Sequence, residues 1–168
     1  RWRYQAPLPQ GAVEAGQVIL RDGTTAELQP VAADDRELIA GFLDRISEEA
    51  RRNRFFGGIR REEAVERLLT PNEPGERMGL VVLTAGGEGA GIIAHGEYTR
   101  DSEEGAEVAF LVEDAYQGKG LGTLLLERLA LIAARQGIRR FHGPTEAGNV
   151  RMRDVFQQSG FEVAQVER

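Results

Sequence analysis

The apolar pattern changes period across the glycine-rich residues 117–122, and that joint constrains the fold more than any other feature. Residues 106–112 alternate as a buried strand, with Glu107, Ala109 and Leu111 on one face and Val108, Phe110 and Val112 on the other. From Leu121 onward, Leu121, Leu125, Leu129 and Ile132 recur at helical spacing with Leu124 and Leu131 beside them, and Gly137 stands where a helix ends. The run Gln117-Gly118-Lys119-Gly120-Leu121-Gly122 joins the two. A helix opening there exposes unpaired N–H groups and the positive end of its dipole, a setting that suits phosphate. Gly118, Gly120 and Gly122 clear side chains from the approach, Thr123 adds a hydroxyl and Lys119 a point charge. The spacing is not that of the dinucleotide fingerprint, and no Gly-x-x-x-x-Gly-Lys-Ser/Thr occurs, which argues against nicotinamide cofactors and nucleoside triphosphates. The plainer alternative is a turn whose glycines serve only close packing of strand and helix.

Other elements follow from the same signals. Residues 17–20 and 24–28 flank Asp22-Gly23 as a hairpin that Pro30 ends. Asp34 with Glu37 has capping-box spacing ahead of a helix carrying Leu38, Ile39, Phe42, Leu43 and Ile46. Ser47 is placed to cap a second helix over residues 48–55, and residues 62–69 form a third that stops before Pro71. Strands are expected at residues 79–84, 91–99, 106–112 and 139–145, a helix at 149–158, and a last strand at 161–166. Residues 1–16 read as a tail or linker and 17–168 as one domain of α/β (α+β) class. At 168 residues there is no room for a second domain.

Composition closes off several classes. No apolar stretch nears the roughly 20 residues of a membrane-spanning helix, and a net charge of −6 opposes non-specific nucleic-acid binding. Without cysteine there is no disulfide framework, thiol nucleophile or thiolate metal site. No signal-like stretch follows the basic start, which favours the cytoplasm. The start at Arg1 and the stop at Arg168 suggest a piece of a longer chain, and Lys119 is the only lysine.

Gln-x-x-Gly-x-Gly, preceded by an acidic strand and followed by a leucine-rich helix, resembles the acetyl-CoA-binding motif of the GNAT N-acetyltransferase superfamily. Downstream, Asn149, Met152, Val155-Phe156 and Gly160-Phe161 resemble the next helix motif of that superfamily. The resemblance covers residues 18 to 167. Residues 47–51 leading to Arg54-Phe55-Phe56, with residues 106–110, are similar to the protein-lysine acetyltransferase (Pat-like) domains. It implies a mixed, mostly antiparallel sheet flanked by helices, with a V-shaped opening between two central strands. It also implies acetyl-CoA as co-substrate, held by Leu111, Val112, Gln117, Gly118, Lys119, Gly120, Leu121, Gly122, Thr123, Asn149 and Phe156. The acceptor implied is an amine such as a protein lysine, and fused domains or a homo-oligomer are implied as partners.

An ammonium must lose a proton before it attacks a thioester. Glu107, a single carboxylate among apolar neighbours, is the candidate base, and partial burial would raise its pKa. The resemblance gives the matching glutamate that role; the plain reading is a solvent-facing carboxylate at a strand start. His95 is the second choice, and lone strand histidines such as His95 and His142 are more often structural. Two histidines without clustered carboxylates predict no metal. Phe156 stands where the superfamily commonly has a tyrosine acid, and phenylalanine donates no proton. Arg51, Arg52, Arg54, Arg60 and Arg61 form a basic cluster that would contact substrate or phosphates, or else be a solvated face. A direct acetyl transfer is therefore expected, against a non-catalytic acyl-CoA-binding or regulatory domain of a larger protein, or a generic nucleotide-binding domain.

Overall fold

The computed structural model describes residues 13–55, 57–84 and 91–143. A hairpin of β1 (Gly16–Ile19) and β2 (Thr25–Pro30) leads to three helices, α1 (Arg36–Arg45), α2 (Glu48–Phe55) and α3 (Arg61–Leu68). Three strands follow, β3 (Arg77–Thr84), β4 (Ile92–Arg100) and β5 (Gly105–Val112), then α4 (Leu121–Arg135) and β6 (Arg140–His142). The sheet order is β1-β2-β3-β4-β5-β6, antiparallel throughout except for the parallel β5–β6 pair. This is the expected mixed, mostly antiparallel sheet. The expected helix at 149–158 and strand at 161–166 lie outside the described residues.

Both faces of the sheet are covered, so its middle strands read as almost unbroken apolar runs. Leu80, Val82, Ala94, Tyr98, Ala106 and Val108 pack with α4, whose Leu121, Leu125, Leu126 and Leu129 are buried. Val81, Ile92 and Leu111 join Ile39, Phe42, Leu43, Val65 and Leu68 of α1 and α3 on the other side. A register shift between Val82 and Leu83 inserts Ile93, so that Ile93 and Ala94 both meet the α4 layer. Gly96 lets α4 approach: a Cβ there would lie 3.0 Å from the Phe110 ring and 3.2 Å from Leu125 Cβ.

Local signals are realised with two differences. The Ser47 hydroxyl accepts the Ala50 N–H at 3.1 Å as the cap of α2, and Gly137, at φ +78°, follows the end of α4. The Asp34–Glu37 box is replaced by a 3-10 turn, Ala33–Asp35, in which the Asp35 carboxylate accepts the Ala32 N–H at 2.8 Å. Asp35 outcompetes Asp34 because it is the one turned into the fold. Val13, within the expected tail, is fully buried, and Arg128 donates to its carbonyl at 3.0 Å.

Candidate functional site

Three features are strung along β5 and the loop that follows it. The first is the loop. After one 3-10 turn, Asp114–Tyr116, the chain passes Gly118 at φ +78° and Gly120 at φ +84° and enters α4 with no side chain capping it. Its first N–H groups are therefore open. Gly120 is required twice over: its φ is left-handed, and a Cβ would sit 2.9 Å from Arg21 Nε. The β1–β2 turn is fastened to this loop, since Arg21 N–H donates to the Lys119 carbonyl at 3.2 Å.

Lys119, read from sequence as a charge for phosphate, is ion-paired here: its Nζ lies 2.5 Å from Asp22 Oδ2. Thr24 donates twice more to Asp22, from its N–H at 3.0 Å and its hydroxyl at 2.6 Å. The Lys119 hydrogen bond, then those of Thr24, hold the Asp22 carboxyl well below the usual range. Nothing in sequence links Asp22 to Lys119, which are 97 positions apart.

The second feature is the free edge of β5. Pairing with β6 ends at Glu107↔His142, so among the described residues nothing pairs with β5 beyond that point on this side. The Glu113 N–H donates to Ile93 at 2.9 Å and the Asp101 N–H to Gly105 at 3.1 Å, which fixes the alternation. Odd-numbered residues of β5 turn their backbone to β4, and Val108, Phe110 and Val112 turn theirs to the opening. Of the two β5 residues that the resemblance implied for acetyl-CoA, Val112 has its backbone on this side and Leu111 does not, because Leu111 faces His95 across the β4 ladder and its side chain is buried. Gln117 donates to the Val112 carbonyl at 3.3 Å and ties loop to strand.

The third feature is a charged cluster under α2. Glu107 lies opposite Thr99 on β4 and His142 on β6. It is exposed, as in the plain reading of a solvent-facing carboxylate at a strand start and not held among apolar neighbours, because the three residues of β6 flank β5 there. His142 itself pairs with Asp101.

On the same face of β4, Glu97 is buried and bonded by two guanidiniums, Arg54 from α2 and Arg77 from β3. Burial opposes its ionisation, yet the charges around it, Arg54 and Arg77 foremost since His95 is neutral at pH 7, keep the carboxyl below its ordinary value. Burial lowers the Arg54 pKa, while Glu97 and, more weakly, Glu107 raise it. His95 is fully enclosed with neither ring nitrogen partnered, and burial first, then Arg54 and Arg77, depress it to about 4. Sequence reading missed Glu97, although its signal, one carboxylate in an apolar strand, equals that of Glu107. The arginines around α2 are mostly engaged, Arg52 with Glu48, Arg60 with Glu63 and Arg61 with Asp44.

Leu121 and Gly122 are buried at the start of α4, and Thr123 is half-buried. Asn149 and Phe156 lie outside the described residues. Among the described residues no cluster of three or more His, Asp or Glu is arranged to hold a metal ion, and no helix is long and apolar enough to cross a membrane.

The geometry can be set beside known proteins. A model described as the Acetyltransferase (GNAT) family matches residues 43–161. Acetyltransferase PA5475 of Pseudomonas aeruginosa is 31% identical over 144 residues, covering 84% of this chain and 77% of that protein. Acetyltransferase Pat of Mycolicibacterium smegmatis is 30% identical over 145 residues; the match covers 85% of this chain but 43% of Pat. The crystal structure of the GNAT domain of S. lividans PAT is 34% identical, with a TM-score of 0.80 over 92% of each chain.

Proposed function

Because the chain belongs to the GNAT acetyltransferase family, we propose that it carries the acetyl group of acetyl-CoA to a primary amine by direct attack, with Glu107 as general base. One juxtaposition carries this reading: β5 bears an exposed carboxylate near its start and, among the described residues, an unpaired backbone edge towards its end, and a 3-10 turn and the glycine loop join it to the uncapped N-terminus of α4.

The pyrophosphate would rest on the N–H groups of Gly120, Leu121, Gly122 and Thr123, where side-chain bulk is absent and the helix dipole favours negative charge. The pantetheine amides are polar groups that need partners once buried, and the Val108 carbonyl, the N–H and C=O of Phe110 and the Val112 N–H, which have no strand partner among the described residues, supply them. A β5 N–H would then polarise the thioester carbonyl. Glu107 removes the proton of the acceptor ammonium, directly or through water. The amine nitrogen bonds to the carbonyl carbon, the C–S bond breaks, and the second proton of the nitrogen passes through water to the departing thiolate of CoA. No acyl-enzyme forms. The resemblance of residues 47–56 and 106–110 to protein-lysine acetyltransferase (Pat-like) domains supports a protein lysine as the acceptor.

Acetyl transfer from radiolabelled acetyl-CoA to lysine peptides tests this. Glu107→Gln should lower kcat by roughly 100-fold while CoA binding stays as in wild type. Unchanged turnover removes Glu107 from the role, and tight CoA binding with no transfer to any amine would leave a binding module instead.

A further inference from the structure

The acceptor side of Glu107 is roofed by a helix that apolar packing alone does not hold. Of the eight residues of α2, only Arg54 and Phe55 are buried. Phe55 lies beneath two guanidiniums, with Arg54 at 4.9 Å and Arg67 at 5.3 Å from its ring centre. Half-buried Ala50 adds a contact with the core, and the polar anchor is the Arg54–Glu97 ion pair, which crosses from α2 to the middle of the sheet. Glu97 is in turn fixed by Arg77, whose guanidinium also donates to the Thr70 carbonyl beyond α3.

This network is incompletely satisfied. Arg54 Nε and both ring nitrogens of His95 are buried without a partner. A buried polar cluster with spare donors is one whose arrangement responds sharply to losing a member. It also lies beside the reaction: Glu107 sits on the same face of the sheet as Glu97, and its charge acts on Arg54.

We propose that Arg54 is a positioning residue for the acceptor: through Glu97 it seats α2 over the strand that carries Glu107, so that the acceptor-facing wall exists only while this ion pair is intact. The proposal rests on the reading of Glu107 as the base. Arg54 touches neither the acetyl group nor the phosphates in this scheme. Its loss should therefore act on the amine and spare the cofactor.

The test is Arg54→Ala and Arg54→Lys in the full chain, read in three ways. Hydrogen exchange across residues 48–55 should speed by about tenfold in Arg54→Ala, with much smaller change in α4. The KM for Nα-acetyl-lysine amide should rise by about tenfold, while kcat and the CoA dissociation constant move little. Lysine keeps the charge, so Arg54→Lys should recover most of both effects and guards against Arg54→Ala simply failing to fold. If exchange in Arg54→Ala rises equally throughout the chain, or acceptor KM is unmoved while α2 stays protected, the seating role is wrong. A wild-type protein that transfers no acetyl group sinks the transferase reading instead, and the exchange of residues 48–55 still decides the role of Arg54.

Discussion

Replacing His95 with leucine should remove an acid sensitivity that the wild-type fold carries. The imidazole is enclosed by the sheet and helix layer, with Glu97, Arg54 and Arg77 as its charged neighbours. Burial, reinforced by the two guanidiniums and opposed by Glu97, lowers its pKa from 6.5 to about 4. Above pH 6.5 the ring is neutral in both folded and unfolded chains and stability is unaffected. As pH falls from 6.5 towards 4 the unfolded chain takes up a proton that the native chain refuses, so the native state loses ground. At about 1.4 kcal/mol per tenfold change, the loss reaches roughly 2 kcal/mol at pH 5 and about 3 kcal/mol once the ring protonates in both states. For a chain of this length 2 kcal/mol is about 4–8 °C in Tm. His95→Leu also deletes two unpartnered ring nitrogens, so its stability at pH 7.5 should match or exceed wild type. Urea midpoints at pH 7.5 and 5.0 for both proteins measure the difference directly. An equal drop in the two proteins, or a His95 ring that titrates near 6.5 by NMR, would refute the reasoning.

Gly96→Ala forces a methyl group between the Phe110 ring and Leu125, at 3.0 and 3.2 Å, and should cost about 1–3 kcal/mol in urea unfolding by pushing α4 off the sheet. Gly120→Ala meets both a φ of +84° and the Arg21 side chain, and should cost about 1–2 kcal/mol while weakening CoA binding in calorimetry.

Where the chain follows local rules, the sequence was readable. The leucine stripe of α4 spans the expected residues and ends before Gly137, and Ser47 caps α2 as its position suggested. Most strand edges moved by one or two residues, and the strand expected at 139–145 stops at His142, since hydrogen bonding, not side-chain pattern, sets where a ladder stops. Between a half-buried and a solvent-facing Glu107 the sequence did not choose, because alternation assigns a residue to a face but not to the centre or end of a sheet; the solvent-facing reading holds. The arginine cluster illustrates the same limit. Arg52, Arg60 and Arg61 are the exposed, ion-paired surface that such runs usually are, whereas Arg54, in the same run, is buried on Glu97.

By itself, the sequence determined the joint between β5 and α4 and the three glycines that suit its mouth to phosphate, and the resemblance to acyl-CoA enzymes came only with Glu107 upstream and residues 149–161 downstream. The joint and its glycines depend on residues within one or two helical turns of each other. The tertiary structure alone decided that Lys119 is tied to Asp22, that Val108, Phe110 and Val112 offer the backbone to the opening, and that Arg54, Arg77 and Glu97 meet under α2. Such pairings join elements distant along the chain. They are fixed by strand register and by which groups the packed layers bury together, and neither quantity is written in any local stretch of residues.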